Sequence, residues 1–168
     1  MRPVLLIDCG DTLANESTEQ KNERGETLYA DLIPGAAELI HELKRRDYRL
    51  ALCADGPVAT FENILNQHGL WNCFDAFAIS EAVGVSKPDE RMFRTALDTL
   101  DVDPVHYAQT VMVGNNLERD IAGANALGLI TVFLSWSDKR RKTPLSDLET
   151  PDVTIQKPLD LIEVLEQL

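Results

Sequence analysis

The chain has 168 residues, 44% of them hydrophobic and 26% charged, a size that fits one domain needing no disulfide or structural metal to fold. Its 28 acidic and 16 basic residues give a net charge of −12. This charge opposes binding to nucleic acid or to an anionic membrane surface. The three cysteines, Cys9, Cys53 and Cys73, form no CxxC pair, so we expect a reducing, cytoplasmic environment.

Apolar runs alternate along the chain with segments whose apolar residues recur at helical spacing. The first run, Val4–Ile7, stops at Asp8 and Gly10, as a strand buried on both faces does. In chain order, the predicted elements are strand one (Val4–Ile7), a helix from Pro34 to near Asp47, strand two (Arg49–Ala54), a helix from Asp55, strand three (74–79), a helix from Pro88, strand four (110–113), a helix over 117–127 and strand five (129–134).

This alternation predicts an α/β fold: a three-layer, Rossmann-like parallel sheet with helices on both faces. Ligands bind such sheets at the carboxyl ends of the strands. The residues at these ends are Asp8, Ala54 with Asp55, and Asn115. We therefore expect the functional site at this edge of the sheet.

Four segments occur in a fixed order along the chain. They are DCGDTL (8–13), CADG (53–56), VSKPDERMF (85–93) and VGNNLERD (113–120). Together they resemble the four motifs of the haloacid dehalogenase superfamily of phosphatases and phosphotransferases. The resemblance covers nearly the whole chain and implies the strand order 5-4-1-2-3, with strand one at the centre.

The resemblance implies a role for each matching residue. Asp8 would be the nucleophile that forms an aspartyl phosphate, and Lys87 would hold Asp8 and the phosphoryl group by charge. The matching phosphate-binding positions are Ala54, Asp55, Gly56 and Lys87. The matching magnesium positions are Asp8, the carbonyl of Gly10, Asn115 and Asp120.

Three positions depart from the family pattern. Gly10 stands where the family has an acid that protonates the leaving group, and Ala54 lacks the usual hydroxyl. Asn115 replaces an acid that binds magnesium, so we expect Mg²⁺ to bind weakly. Without a general acid, hydrolysis should depend steeply on the leaving group, unless Asp11 or Glu16 supplies the proton.

The gaps between the motifs are too short for a cap domain. We expect one domain over 1–168, in which residues 14–33, starting with a polar run, form only a flap over Asp8. Capless members of the resembled family act on larger substrates or borrow a lid from a partner subunit. The expected partners are therefore a phosphorylated substrate, small or macromolecular, and a second copy of this chain.

A basic cluster, Lys139, Arg140, Arg141 and Lys142, follows strand five. It should emerge at the carboxyl rim, where it would steer an anionic substrate; the alternative is a solvated loop.

Three functions remain open from the sequence. The first is a magnesium-dependent phosphatase acting through Asp8. The second is a catalytically silent protein that binds a phosphorylated ligand or a protein partner, favoured by the residues at 10, 54 and 115. The third is metal-independent dehalogenation, which the missing cap disfavours because nothing would enclose a small haloacid.

Overall fold

A six-stranded parallel sheet forms the centre of the computed structural model, which describes residues 3–168. Its strands are β1 (Val4–Ile7), β4 (Arg49–Ala54), β5 (Ala76–Ile79), β6 (Val111–Gly114), β7 (Ile130–Leu134) and β8 (Val153–Ile155). They lie in the order β5-β4-β1-β6-β7-β8. The fold-class prediction is confirmed.

The sheet differs from the predicted order at one edge. The five predicted strands correspond to β1, β4, β5, β6 and β7, and the sixth strand, β8, was missed. β8 pairs in parallel with β7, with Leu134 opposite Ile155. A strand of three residues carries too short an apolar pattern to be recognised from periodicity.

Helices cover both faces of the sheet. They are α1 (Ala36–Arg45), α2 (Val58–Gln67), α3 (Ser80–Val83), α4 (Glu90–Thr99), a π-helix (Leu117–Ile121), α5 (Ala122–Ala126) and α6 (Asp160–Gln167). No helix in residues 3–168 combines the length and the apolar character that crossing a membrane requires.

The alternation of side chains along β1 explains the three layers. Leu5 and Ile7 point into a core built with α1, α2 and α6, whereas Val4 and Leu6 point into a core built with α4 and α5. Because successive side chains of a strand face opposite sides, a strand apolar at every position must be covered on both. The apolar run Val4–Ile7 therefore occupies the middle of the sheet.

Residues 14–33 form a small antiparallel hairpin, β2 (Gln20–Lys21) and β3 (Thr27–Tyr29), rather than a cap domain. The hairpin is attached to α2: the amide of Thr27 donates to Thr60 Oγ1 at 2.9 Å, and Asn63 Nδ2 donates to the Thr27 carbonyl at 3.0 Å. Polar residues of this segment, among them Glu16, Glu19 and Lys21, lie beside the carboxyl edge of the sheet.

Thr131 joins the unexpected strand to the sheet. Its hydroxyl lies 3.2 Å from Asp152 Oδ2 and accepts from the amide of Asp152 at 3.0 Å, and its own amide donates to Asp152 Oδ2 at 2.8 Å. Thr131 is fully buried. These bonds position β8 beside β7 and close the long loop between them.

We expect Thr131→Val to lower the free energy of unfolding by about 1–3 kcal/mol, because it removes hydrogen bonds to a charged side chain at a buried position. Thr154→Val, an exposed position on β8, is the matched control and should change stability by less than about 0.5 kcal/mol. Urea denaturation measures both. Equal stability of the two variants would show that the Thr131 bonds do not hold the edge strand.

Candidate active site

Asp8 follows the central strand and lies at its carboxyl end. Its amide donates to the carbonyl of Val113 at 3.0 Å, which extends the pairing of β1 with β6 by one residue. The side chain is almost buried: Oδ1 accepts from Lys87 Nζ at 3.0 Å and Oδ2 accepts from Thr12 Oγ1 at 3.3 Å. The sheet thus delivers this carboxylate to a defined position at the rim.

Lys87 connects three elements through one ammonium group. Nζ lies 3.0 Å from Asp8 Oδ1, 2.6 Å from Asp120 Oδ1 and 2.7 Å from the carbonyl oxygen of Cys53. An ammonium group has three donors, so all of them are used. Burial lowers the pKa of Lys87, but Asp120 and Asp8 more than offset this and hold it well above its usual value. The lysine is therefore a permanent cation.

Asp120 lies on the π-helix, directly beside Lys87. Burial and the nearby charge of Asp8 raise the pKa of Asp120 to about 7, although Lys87 opposes the shift. Its second oxygen accepts from the amide of Asn116 at 3.1 Å. A Cβ atom at Gly114 would collide with this carboxylate. The absence of a side chain at Gly114 is what lets Asp120 come so close to the end of β6.

Asn115 completes the group. Its side-chain amide is oriented with the nitrogen toward the first loop, where it donates to Asp8 Oδ2 and to the Gly10 carbonyl, 3.2 Å from each. The residue is buried. The predicted site residues Asp8, Gly10, Lys87, Asn115 and Asp120 are thus neighbours at one edge of the sheet.

These residues fit a magnesium ion. If the amide of Asn115 is turned over, its oxygen joins Asp8 Oδ2 and the carbonyl of Gly10, and oxygens are the ligands that Mg²⁺ prefers. Residues 3–168 contain no group of three His, Cys, Asp or Glu side chains suited to a metal. The donor set is one carboxylate with neutral oxygens, which favours weak binding.

Polar groups of the predicted phosphate-binding segment form hydrogen bonds and an ion pair with other residues of the chain. Asp55 Oδ1 accepts from the backbone amide of Lys87 at 2.9 Å, and Oδ2 pairs with Arg119 at 3.3 Å. The amide of Gly56 donates to Ser80 Oγ at 2.7 Å, and Ala54 is fully buried. The charge of Asp55 is therefore offset by Arg119, a partner 64 positions along the chain.

Glu16 lies over the position where the family motif has an acid. A Cβ atom built on Gly10 would collide with Glu16 Oε1 and would lie 3.0 Å from its Cδ. Burial raises the pKa of Glu16, and so does the charge of Asp11, whereas Arg140 lowers it. The sequence drew attention to Glu16 only as one of two acids near Gly10. Its placement over Gly10 had no signal in the sequence.

Asp11 is the second acid near Gly10, and it faces away from solvent. Its φ of 52° is in the left-handed region, which aspartate tolerates better than most residues. Oδ1 accepts from the backbone amide of Glu16 at 2.9 Å. Within the described residues, Oδ2 has no hydrogen-bond donor, and Lys139 Nζ lies 3.9 Å from it. Asp11 is thus placed to hold Glu16.

The basic cluster divides into two parts. Lys139 and Arg140 reach the site, with Arg140 Nη2 3.8 Å from Glu16 Oε1. Arg141 instead pairs with Glu149 at 2.6 Å and with Glu118 at 2.9 Å, and Lys142 pairs with Asp138. The cluster lies at the carboxyl rim as predicted, but Arg141 and Lys142 form ion pairs with acidic residues outside the site.

The site opens into a cavity of about 290 Å³. Its ionisable lining residues are Asp8, Glu16, Glu19, Lys21, Asp55, Lys87, Arg119, Asp120 and Arg140, together with the thiol of Cys9. Burial raises the pKa of the Cys9 thiol and that of Cys53, the latter to about 12. Neither thiol is a nucleophile at neutral pH, since the thiolate is the reactive form. Asp8, by contrast, presents a carboxylate to the cavity at the carboxyl end of the central strand.

Comparison with known proteins finds relatives that are named as phosphatases. The chain is 31% identical over 140 residues to the glyceraldehyde 3-phosphate phosphatase of Methanopyrus kandleri, covering 83% of this chain and 57% of that protein. It is 32% identical over 137 residues to the ribulose-1,5-bisphosphate 5-phosphatase of Halopiger xanaduensis, covering 82% and 56%. The chain thus spans little more than half the length of these relatives.

The fold has close counterparts among solved structures. The crystal structure of a HAD phosphatase from Thermococcus onnurineus superposes with a TM-score of 0.79 at 17% identity, covering 97% of each chain. The family model of the haloacid dehalogenase-like hydrolases matches residues 5–128, which include all four motifs. With its parallel sheet and with Asp8, Lys87 and Asp120 joined at the carboxyl edge, this chain belongs to the haloacid dehalogenase-like hydrolases.

Proposed function

We propose that this chain is a magnesium-dependent phosphatase in which Asp8 takes the phosphoryl group from the substrate and passes it to water. The observation that carries the proposal is the pairing of Asp8 with the buried cation of Lys87, 3.0 Å away, beside the carbonyl of Gly10 and the side-chain amide of Asn115. The relatives named as phosphatases support the same reaction class.

Lys87 prepares Asp8 for attack. A carboxylate that approaches a phosphate dianion meets strong like-charge repulsion, which a fixed cation beside both groups reduces. Because Asp120 and the carbonyl of Cys53 hold the same ammonium group, Lys87 does not need to move when the phosphoryl group arrives. Positioning of this kind is how proteins accelerate phosphoryl transfer.

Asp8, Gly10 and Asn115 would hold the magnesium ion directly, and Asp120 would support the site through its bond to Lys87. When bound, the ion supplies positive charge that offsets the phosphate oxygens. Asn115 provides an oxygen without a charge, so the affinity depends chiefly on Asp8. The ammonium group of Lys87 offsets the negative charge of Asp8 and Asp120.

The cavity lining favours a phosphate monoester of modest size or a phosphorylated group on a larger molecule. Lys21, Arg119 and Arg140 contribute positive charge at the rim, although acids outnumber bases among the lining residues. A phosphate therefore depends on these particular cations rather than on a generally positive surface. The substrates named for the relatives differ from each other, and the class proposed is the phosphate monoester.

We expect Asp8→Asn to abolish formation of a phosphoenzyme from acetyl phosphate with Mg²⁺ and to lower phosphatase turnover by at least about 10³-fold, because the nucleophile is removed. Acid quenching followed by intact-protein mass spectrometry measures the adduct. Asp98→Asn, exposed on α4, makes the same charge change away from the site and should label normally. A wild-type chain that never labels would instead support the catalytically silent, ligand-binding alternative.

We expect Asn115→Asp to tighten Mg²⁺ binding by about tenfold or more, since a carboxylate adds a charge that the amide lacks. Without Mg²⁺, the new carboxylate faces Asp8 and should lower the melting temperature. The readout is the rise in melting temperature as Mg²⁺ is added.

Asn116→Asp is the matched control for this change. The Asn116 side chain accepts from the amides of Glu118 and Arg119 at the start of the π-helix, where aspartate also caps well. It adds the same charge one residue away without facing Asp8. An identical Mg²⁺ response in both variants would exclude Asn115 as a ligand.

A further inference from the structure

We propose that Glu16 is the general acid and base of this phosphatase, in place of the acid that position 10 lacks. The inference rests on the proposed function and adds a catalytic residue to it. The observation that carries it is spatial: the carboxylate of Glu16 fills the volume that a side chain on Gly10 would enter.

The overlap involves the functional end of Glu16. A Cβ atom on Gly10 would collide with Oε1, and it would lie 3.0 Å from Cδ and 3.2 Å from Cγ. Gly10 has no positive φ, so its backbone does not require glycine. A side chain at position 10 would have to displace this carboxylate, which is the flexible end of a residue six positions further along the chain.

Glu16 is held in this place from several sides. Its backbone amide donates to the buried Asp11 Oδ1 at 2.9 Å, and Arg140 Nη2 lies 3.8 Å from its carboxylate. The preceding residue, Asn15, donates to the carbonyl of Asp31 at 2.8 Å and accepts from the amide of Ser17 at 3.1 Å. The segment is therefore anchored, and Asp11 acts as a positioning residue.

Glu16 also faces the reaction space. It lines the same cavity as Asp8 and Lys87 and is only partly exposed. Within the described residues, no lysine or arginine lies at hydrogen-bond distance from its carboxylate, and Arg140 Nη2 is 3.8 Å away. The carboxyl group is thus free to exchange a proton with a substrate oxygen, whereas Asp120 is bonded to Lys87.

Each half of the reaction balances with Glu16 in this role. In the first half, an oxygen of Asp8 bonds to phosphorus, the bond from phosphorus to the leaving oxygen breaks, and that oxygen takes the proton of the Glu16 carboxyl group. The products are an alcohol, the aspartyl phosphate and the Glu16 carboxylate. In the second half, water attacks phosphorus, Glu16 takes its proton, and inorganic phosphate leaves the restored Asp8 carboxylate.

The test uses Glu16→Gln, which keeps the shape of the side chain and cannot exchange the proton. The probes are acetyl phosphate and 4-nitrophenyl phosphate, whose leaving groups need little protonation, and glycerol phosphate, whose leaving group needs it. General acid–base catalysis typically contributes about 10² to 10⁴ in rate, so we expect a loss of that size with glycerol phosphate. With acetyl phosphate, the variant should still label, and its phosphoenzyme should decay about 10²-fold or more slowly than that of wild type.

The matched control is Glu23→Gln, exposed at the tip of the same hairpin, which should leave the decay and the substrate ratio unchanged. A Glu16→Gln phosphoenzyme that decays at the wild-type rate overturns the role of Glu16 and leaves the proposed function standing. If the wild-type chain does not label, or if Asp8→Asn labels as well as wild type, the proposed function itself is overturned.

Transplanting the acid gives an independent test. Gly10→Asp alone should reduce activity, because the new side chain competes with the Glu16 carboxylate for the same volume and displaces it. Gly10→Asp combined with Glu16→Ala vacates that volume and should restore the phosphoenzyme decay lost in Glu16→Ala by at least tenfold. The proposal is contradicted if Gly10→Asp gains activity with Glu16 intact. It is also contradicted if the phosphoenzyme of the double variant decays no faster than that of Glu16→Ala.

Discussion

Asp8 and Asp120 share one buried cation, the ammonium group of Lys87, and the site depends on this arrangement. Two acidic side chains held out of water compete for one lysine, and burying a charged carboxylate costs several kcal/mol unless it is paired. Lys87 meets this demand because its three donors reach three acceptors on three different elements. The same contacts that stabilise the charges also fix the position of the Asp8 carboxylate.

The parallel sheet makes this pairing possible. β1, β4 and β6 end side by side, so Asp8, the carbonyl of Cys53 and Asn115 meet although they are far apart in the chain. Gly114 then lets the carboxylate of Asp120 approach the end of β6 more closely than any side chain would allow. Strand order brings the elements together, and local backbone space sets the distances between the charges.

The departures from the family motifs are linked to neighbouring residues rather than isolated losses. Asp55, next to Ala54 in the predicted phosphate-binding segment, is paired with Arg119. Gly10 leaves the volume into which Glu16 extends, and Asp11 beside it holds the backbone of Glu16. Asn115 bridges Asp8 and the Gly10 carbonyl with its amide. Two of the three departures, at positions 10 and 115, are therefore in direct contact with other residues of the site.

The sequence by itself determined the fold class, five of the six strands and the edge of the sheet where Asp8, Lys87, Asn115 and Asp120 meet. It could do so because apolar periodicity and motif order can be read from the sequence without knowing which residues are in contact. β8 was missed because its three residues carry too short an apolar pattern, and its place in the sheet is set by pairing with β7 and by the bonds between Thr131 and Asp152. The overlap of Glu16 with Gly10, the pairing of Asp55 with Arg119 and the division of the basic cluster were decided by the tertiary structure alone. Each of them depends on the distance between side chains from different parts of the chain. That distance is set by the folded backbone and cannot be read from the local sequence.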